Sequence, residues 1–592
     1  MTRSCWRIFF FIFCVCGLSL GTSFAQTIER RATTLQVEYS GVDGELAKNV
    51  DSYLELLDYN GKPTPASFRL RFLARRGETS IKNALKPFGY YHSEVSHEII
   101  HSENVTRVSY QINPGPRTQI GTLNITIQGS MQDDPVFQNL RKQFPLATGQ
   151  PFIHADYERT KNMLRNLAAE RGYYDARFER QNVRVELTEQ AAHIDLVYAS
   201  GERYKFGDVE MCCNHLSDDF IARYFQFSQG QPFHTRELLD LQVALAGSDY
   251  FETVEVAPIW DQASNAQVPV SVRLTPNKRD YYQVGPGYGT DTGARLTLAF
   301  DRRWVNDRGH RLSSVLRLSQ VQNTGFVDYI IPGKDPTRDQ YSITGEIMDR
   351  SYESIESTLY RTSVRDIRHY DEWQRTYELA YQREDFRFGA VDKTTSSFLI
   401  PSAEFSLVRS EMDAENRNLV DNGFRVSAKL KGASDTVLAD TSFIALTLSG
   451  KAVYTLSPRW RFLARSEIGA MTTSDFSQIP PSLRFFAGGD HSVRGYAYQQ
   501  LGPENSEGVV TGGRYLGVLS AEFDYLVAPK WRVALFTDVG NSGMEWSMPW
   551  RQTLGAGVRW LSPIGPVRLD VAQAVDEPGR PWRIHLTIGP DL

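Results

Sequence analysis

The C-terminal half alternates apolar and polar residues with a period of two, and this pattern restricts the possible folds most strongly. In residues 567–571 and 582–588, apolar side chains alternate with Arg, Asp, His and Thr. Such alternation indicates strands with one apolar face. Arg568, Asp570 and Arg583 occupy the opposite face, where unpaired charges in a dry core would be costly. A transmembrane barrel with a polar, wet lumen accommodates these charges better than a soluble sandwich does.

The length of this half predicts the number of strands. A membrane-crossing strand with its turn or loop needs about 20 residues. The segment from residue 280 to residue 592 is therefore long enough for an antiparallel barrel of about 16 strands, the even number expected of such barrels. The 28 Tyr and 32 Phe residues of the chain agree with this interpretation.

The N-terminal residues resemble a secretory leader. Arg3 and Arg7 precede or flank a nearly continuous apolar run at residues 8–20, and small residues follow near Ala25. This arrangement predicts a signal peptide over residues 1–25. No later stretch approaches ~18 consecutive apolar residues, so we expect any membrane crossing to use strands.

A repeated unit occupies the region between the leader and the barrel. Aromatic corners recur at residues 89–91, 172–174 and 249–251, and their central tyrosines are 83 and 77 residues apart. This steady period indicates three copies of one small domain. The pattern in the second copy predicts the order β-α-α-β-β. We expect domain boundaries at 26–116, 117–201 and 202–276.

Cysteine content and charge exclude several classes. After removal of the leader only Cys212 and Cys213 remain, so no disulfide framework holds this chain together. The adjacent pair is interpreted as two incidental thiols, with a strained vicinal disulfide as the alternative in an oxidising compartment. A net charge of -5 gives no indication of a nucleic-acid partner.

A glycine-rich run at residues 485–496 contains the arginine that we predict to be functional. It ends in Val493, Arg494, Gly495 and Tyr496. Gly495 permits a sharp backbone turn, and the adjacent guanidinium can reach carboxylates of a barrel wall. The run therefore predicts a loop that folds into the lumen. The alternative is an ordinary surface loop whose arginine has no fixed partner.

Two downstream carboxylates lie on the predicted lumen face. Glu522 alternates with Leu519, Ala521 and Phe523, and Asp538 follows the same parity on a neighbouring strand. One guanidinium can bridge both acids through charge-assisted hydrogen bonds. Glu522 and Asp538 are therefore the predicted acceptors of the loop arginine.

These motifs resemble a known family. The run 493–496 is similar to the loop-six motif of the outer-membrane barrel superfamily that contains the insertase BamA and the two-partner secretion transporters. Glu522 and residues 536–540 resemble its wall motifs, and the repeats at 33–276 resemble POTRA domains. Within the superfamily, residues 287–293, 308–310 and 588–592 are most similar to the TamA type. A non-aromatic C-terminus departs from BamA, and three repeats depart from the two of the secretion transporters.

The resemblance implies a weakly paired seam between the first and last barrel strands. A seam of this kind could open sideways and pair with a client strand, and its first strand is weakened by glycines. The residues assigned to this lateral seam are Gly285, Gly287, Gly289, Ile584, Leu586 and Ile588.

The function implied by the resemblance is assembly or translocation of outer-membrane proteins. We expect a Gram-negative outer-membrane location, unfolded autotransporter-like clients, a TamB-like inner-membrane-anchored partner and a possible role with outer-membrane lipids. Exposed strand edges of the POTRA-like domains would receive extended polypeptides. The open alternatives are a BamA-like general insertase, a two-partner secretion pore and a passive porin.

An enzyme is the competing class that the sequence argues against. It contains no Gly-x-Ser-x-Gly elbow, and its histidines lack metal-ligand spacing. We therefore predict no catalytic residues, no cofactor and no metal site. His310, His491 and His585 are interpreted as lumen or loop residues.

Overall fold

The computed structural model describes residues 33–291, 293–352, 355–412, 420–562 and 565–588. The predicted signal peptide and residues 589–592 lie outside the described residues. The chain forms two compact units that meet in sequence between Arg203 and Tyr204. The first contains two of the POTRA-like domains, and the second contains the third domain together with the barrel.

Each POTRA-like domain has the predicted order β-α-α-β-β. Its first strand pairs in parallel with its third, and its second strand pairs antiparallel with the third, which is therefore central. The first domain comprises β1 (Thr34–Ser40), α1 (Gly44–Tyr53), α2 (Ser67–Leu85), β2 (Glu94–His101) and β3 (Val105–Asn113). The second comprises β4 (Gln119–Gln128), α3 (Pro135–Arg141), α4 (His154–Glu170), β5 (Arg177–Glu186) and β6 (Ala191–Ala199). The third comprises β7 (Lys205–Cys212), α5 (Asp218–Ile221), α6 (Thr235–Ala246), β8 (Phe251–Pro258) and β9 (Gln267–Pro276).

The repeated aromatic corner has a common backbone cause. Gly89, Gly172 and Asp249 precede the aromatic residues and have φ angles of 90°, 80° and 67°. Glycine adopts this left-handed region freely, and aspartate tolerates it better than most residues. The corner turns the chain from the preceding helical segment into the next strand. Tyr173 and Tyr250 are buried there in the domain cores.

A Gly-x-Pro segment covers part of the first strand's free edge in every repeat. Pro63, Pro151 and Pro232 form isolated bridges to the first residues of β1, β4 and β7. The glycine two positions before each proline also donates its N–H to the strand, at 2.8 Å in all three domains. The second strands β2, β5 and β8 are the opposite edges of the three sheets.

Cys212 and Cys213 lie at the end of β7. Both are exposed free thiols whose Sγ atoms are 3.3 Å apart. Cys213 has a φ of 67°, in the left-handed region. No helix among the described residues combines the length and the apolar character needed to cross a bilayer.

The second unit contains the predicted barrel of 16 antiparallel strands, each paired with its sequence neighbours. Its first eight strands are β10 (Asp280–Gly289), β11 (Gly293–Arg302), β12 (Arg311–Ser319), β13 (Gln322–Pro332), β14 (Asp339–Tyr352), β15 (Ile355–Tyr370), β16 (Trp373–Phe388) and β17 (Thr394–Met412). The last eight are β18 (Val420–Ala433), β19 (Phe443–Ser457), β20 (Trp460–Thr473), β21 (Tyr515–Ala528), β22 (Trp531–Gly543), β23 (Arg551–Ser562), β24 (Gly565–Ala574) and β25 (Trp582–Ile588).

Several charges on the inner face of the barrel are paired. On β21, Leu519 and Phe523 are exposed on the outside whereas Glu522 and Asp524 are buried inside. Ion pairs then join inward residues of different strands, because a charge removed from water needs a partner. Examples are Arg461 with Asp524 at 2.7 Å, Arg365 with Asp328 at 2.8 Å and Arg361 with Glu378 at 2.9 Å.

The third POTRA-like domain packs against the turn between β11 and β12. The Tyr250 hydroxyl donates to the carbonyl of Gly309 at 2.5 Å, and the Ser217 N–H donates to the carbonyl of Asp307 at 2.8 Å. Gly309 has a φ of 73°, and a Cβ there would meet the ring of Phe220. Asp307 and Gly309 of this turn therefore dock the domain on the barrel.

Candidate functional site

The segment between β20 and β21, residues 474–514, enters the barrel and is called the inserted loop. Ile479, Val493 and Tyr496 of this loop are at most 1 % exposed. They belong to one apolar cluster with inward residues of several strands, including Phe398 of β17 and Phe443 of β19. Burial of apolar side chains therefore fixes the loop against the lumen wall.

Arg494 contacts three carboxylates on three different strands. Its Nε donates to Asp538 Oδ2 at 2.8 Å, and its Nη2 donates to Asp538 Oδ1 at 2.9 Å. Its Nη1 donates to Glu522 Oε2 at 2.7 Å and to Asp570 Oδ2 at 3.1 Å. All three nitrogen atoms of the planar guanidinium thus donate hydrogen bonds. The ammonium group of a lysine cannot reproduce this geometry.

A second buried arginine offsets part of the negative charge of these carboxylates. Arg559 of β23 donates from Nη2 to Glu522 Oε1 at 2.8 Å and also pairs with Asp570. Both arginines are at most 5 % exposed. We call these five side chains, two cationic and three anionic, the arginine cluster: Arg494, Glu522, Asp538, Arg559 and Asp570.

The aromatic ring of Phe536 forms the floor under Arg494. The guanidinium carbon lies 3.4 Å from the ring centroid, the geometry of a cation–π contact. Phe536 is paired across strands with Gly555, where a Cβ would collide with this ring. The glycine on β23 therefore makes room for the ring on which the arginine rests.

Gly495 has a φ of 96°, which a residue with a side chain adopts only with strain. A Cβ there would also lie 3.1 Å from Thr553 Cγ2 and 3.3 Å from the Ala574 nitrogen. Its N–H donates to His585 Nε2 at 2.8 Å. The loop tip is therefore in direct contact with the last strand, β25.

The sheet order ends at β10 and β25, the two strands of the predicted seam. In the described residues no strand ladder joins them, and the Leu586 N–H donates to the Thr290 Oγ1 at 3.2 Å. Gly285, Gly287 and Gly289 alternate along β10 with exposed residues such as Val284. Ile584 is exposed and Leu586 half-buried, whereas the side chain of Ile588 lies outside the described residues.

Two groups of side chains among the described residues have the spacing to hold a cation. One is Glu186, Glu189 and His193, and the other is Asp291, Asp490 and His585. Both ring nitrogens of His585 already take part in hydrogen bonds, to Gly495 and Asp490. That imidazole therefore offers no free lone pair to a metal.

Sequence reasoning located part of this site. The structure places Arg494 beside Glu522 and Asp538, and buries Val493 and Tyr496. It adds Asp570 as a third acceptor, although sequence parity had only placed that residue inward. Arg559 and the ring contact of Phe536 were missed, but Arg559 alternates with the exposed Val558 and Trp560, and that parity could have indicated it.

This fold and site define a class: outer-membrane barrels that carry POTRA-type domains and hold an arginine loop in the lumen. The chain belongs to the Omp85 superfamily, because residues 281–591 match the model described as the Omp85 superfamily domain. Residues 36–114 match the model of POTRA domain TamA domain 1. Residues 124–199 match a POTRA model described as a surface antigen variable number repeat.

Similar proteins include two called outer membrane protein assembly factor BamA. The one from Nitratidesulfovibrio vulgaris is 20 % identical over 87 % of this chain and 66 % of its own length. The one from Neisseria meningitidis serogroup B is 21 % identical over 78 % of this chain and 65 % of its own length. The chain thus spans slightly less than two thirds of these relatives.

The fold is also similar to that of a solved structure, BamA from Haemophilus ducreyi lacking POTRA domains 1–3. The TM-score is 0.66 at 16 % sequence identity, over 79 % of this chain and 99 % of that one. The barrel and its POTRA-type domains place the protein in the outer membrane, with these domains in the periplasm.

Proposed function

We propose that this protein assembles or translocates outer-membrane proteins, with autotransporter-like proteins as clients, through a lateral seam between β10 and β25. The carrying observation is that these two strands end the sheet without a ladder between their described residues. Unpaired backbone groups are expensive in lipid. A client strand that pairs with β10 or β25 satisfies those groups, so strand addition lowers the barrier to insertion without a nucleotide.

The composition of β10 supports this role. Gly285, Gly287 and Gly289 give the first strand little side-chain packing toward the lumen, and a Cβ at Gly285 would approach only Thr297 within 4 Å, at 3.9 Å. Glycine also weakens a strand through its conformational entropy. β10 and β25, with 10 and 7 residues, are shorter than the 14–19-residue strands β14–β20. A short, glycine-rich edge pairs reversibly.

The POTRA-like domains would deliver clients to the seam. The Gly-x-Pro segments partly cover the edges of β1, β4 and β7, which leaves β2, β5 and β8 as the more accessible edges. An exposed edge accepts an extended chain through backbone hydrogen bonds. Unfolded clients in the periplasm have that extended form.

A TamA-type role is the specific form of this proposal. It is supported by the match of the first domain to the TamA model and by the presence of three POTRA-like domains. We infer from this type a TamB-like, inner-membrane-anchored partner and a contribution to phospholipid traffic. Its test is co-purification of such a partner through the POTRA-like domains, together with outer-membrane lipid analysis after gene deletion.

A BamA-like general insertase is the second candidate, favoured by the similarity to two proteins of that name. Deletion distinguishes the two roles. A TamA-type loss depletes autotransporter-like proteins selectively, whereas loss of a general insertase depletes most outer-membrane barrels. A two-partner secretion pore would instead release one soluble client, and a passive porin would show a wide constitutive conductance in planar bilayers.

Closing the seam covalently tests the shared mechanism. In a background with Cys212→Ser and Cys213→Ser, Gly289→Cys and Leu586→Cys are bridged by a short bismaleimide. The control bridge joins Leu430→Cys to Leu446→Cys, which are partners in the continuous ladder of β18 and β19. The proposal expects client assembly to stop only with the seam bridge. Equal assembly with both bridges would contradict it.

A further inference from the structure

Asp490 of the inserted loop is bound to the last barrel strand. Its Oδ1 accepts a hydrogen bond from His585 Nδ1 at 2.5 Å. The direction of this bond follows from the other ring nitrogen, because His585 Nε2 accepts from the Gly495 N–H at 2.8 Å. Asp490 and His585 are 8 % and 1 % exposed. The contact is therefore protected from competing water.

The same carboxylate is bound to the end of the first barrel strand. Thr290 directly follows β10, and its hydroxyl lies 2.9 Å from Asp490 Oδ1 and 3.1 Å from Oδ2. The next residue, Asp291, accepts a hydrogen bond from the Asp490 N–H at 2.6 Å. Thr290 Oγ1 in turn accepts from the Leu586 N–H of β25 at 3.2 Å.

These four residues, Thr290, Asp291, Asp490 and His585, form what we call the seam cluster. Two strands without a ladder between their described residues are thus joined through one side chain of a loop about 200 positions away from β10. Hydrogen bonds to a buried carboxylate are stronger than those between neutral groups. The cluster therefore contributes charge-assisted hydrogen bonds that link the two edges.

We propose that Asp490 is a positioning residue that holds the seam closed and couples its opening to release of the inserted loop. The inference rests on the proposed function of the seam and adds the residue that controls its opening. Asp490 lies four residues before Arg494, and Gly495 contacts the same histidine as Asp490 does. Movement of the loop tip therefore breaks bonds to both seam edges at once, whereas a fixed loop keeps both edges in place.

Glycine at position 489 supports this coupling. Gly489 has a φ of 106°, and a Cβ there would lie 2.6 Å from Asp291 Oδ2. The backbone of the loop can approach the β10–β11 turn only because this residue has no side chain. The loop is thus shaped to contact the edge of the seam as well as the arginine cluster.

The test measures the distance between the two seam strands. Spin labels at Val284→Cys and Ile584→Cys, both exposed positions, report the β10–β25 separation by double electron–electron resonance in lipid nanodiscs with the full chain. The background carries Cys212→Ser and Cys213→Ser. The variants are Asp490→Ala and Thr290→Val, and the control is Glu504→Ala, an exposed carboxylate of the same loop. Heat-modifiable migration on gels confirms that each barrel is folded.

We expect Asp490→Ala to increase the long-distance population by at least about tenfold, because it removes the hydrogen bonds that this carboxylate accepts from His585 and Thr290. Thr290→Val should give a smaller increase. The double variant should exceed Asp490→Ala by less than the Thr290→Val effect alone, because the two changes share the Thr290–Asp490 contact and only Thr290→Val also removes the bond from the Leu586 N–H. Glu504→Ala should leave the distances unchanged. Unaltered distances in Asp490→Ala would overturn the inference, whatever the effect of Thr290→Val.

Client assembly by the same variants separates this inference from the proposed function. If seam distances lengthen while assembly is unchanged, Asp490 holds the seam but the seam is not the route of clients. If distances stay constant while the bismaleimide bridge blocks assembly, the seam is the route and Asp490 does not control it.

Discussion

Asp538 binds Arg494 at three points, two on the guanidinium and one on the backbone N–H, which donates to Asp538 Oδ2 at 3.0 Å. One carboxylate on β22 thus fixes both the side chain and the main chain of the loop tip. The short run of residues 490–495 contributes to both clusters. Asp490 at its start belongs to the seam cluster, and Arg494 near its end belongs to the arginine cluster. The loop tip is the shared element of both.

Replacement of Arg494 should release the inserted loop. Arg494→Ala leaves three buried carboxylates with one arginine, so we expect a loss of about 3 kcal/mol in local stability. Arg494→Lys should lose less, because it keeps the charge without the fork. Hydrogen exchange of residues 485–496 measures the loss of stability in both variants.

The control is Arg409→Ala, which removes an exposed ion pair with Glu372 and should change stability by less than about 1 kcal/mol. Equal exchange in all three variants would contradict the assignment.

Substitution at Gly495 should show the effect of packing beyond backbone strain. Gly495 and Gly508 both have positive φ angles, 96° and 74°, but a Cβ at Gly508 would meet nothing within 4 Å. Both alanine variants therefore carry strain of about 1 kcal/mol. Gly495→Ala alone adds the contact with Thr553, so its loop should be the more protease-sensitive one. Indistinguishable cleavage rates would show that the close approach has no energetic effect.

The joint between the third POTRA-like domain and the barrel should weaken in acid. The ring of His215 lies 4.0 Å from that of Trp304, and among the described residues neither ring nitrogen has a hydrogen-bond partner. Burial, and then the charge of Arg279, lowers the pKa of His215. The folded state therefore binds the proton less well than the unfolded state does. Stability is fully present above the unfolded pKa of about 6.5 and decreases as the pH falls below it.

Hydrogen exchange of residues 303–310, corrected for intrinsic rates, measures this dependence. Protection should decline between about pH 7 and pH 5 in the native protein. His215→Phe should reduce the slope of the profile, and the remaining slope comes from His310, whose pKa is also lowered by burial and by Arg308. His101→Gln, at an exposed histidine of the first domain, should leave the profile unchanged. A native profile that is flat across this range would exclude His215 as the titrating group.

Clients should contact one edge of the POTRA-like sheets more than the other. A photo-crosslinking residue at Asn182, on the edge strand β5, should capture unfolded outer-membrane proteins. The same residue at Gln119, whose strand β4 is bridged there by Pro151, should capture fewer. Both side chains are exposed, so accessibility to the crosslinker is matched. Equal yields, or no adducts at either position, would argue against delivery by strand addition.

Local sequence patterns predicted the strands and the residues that face the lumen. They could not predict contacts between residues that are far apart in the sequence. The length of the C-terminal half predicted about 16 strands, and the period of two placed Glu522 and Asp538 on the lumen face, because alternation is a property of neighbouring residues. The contact of Asp490 with Thr290 joins residues 200 positions apart. Neither the alternation of the strands nor the glycine-rich run indicates that Asp490 and Thr290 are in contact. Asp490 was part of the glycine-rich run, but its partners depend on how the loop enters the lumen and where the barrel ends meet.

The seam is tested most directly by the position at which a client is trapped during assembly. A client with a single cysteine in its last strand is offered to the protein in the Cys212→Ser, Cys213→Ser background. This protein carries one new cysteine, either Val284→Cys on β10 or Leu446→Cys on β19. We expect disulfide-linked adducts with Val284→Cys only, because β19 is paired on both sides. Equal trapping at both positions, or trapping at β19 alone, would contradict a lateral route between β10 and β25.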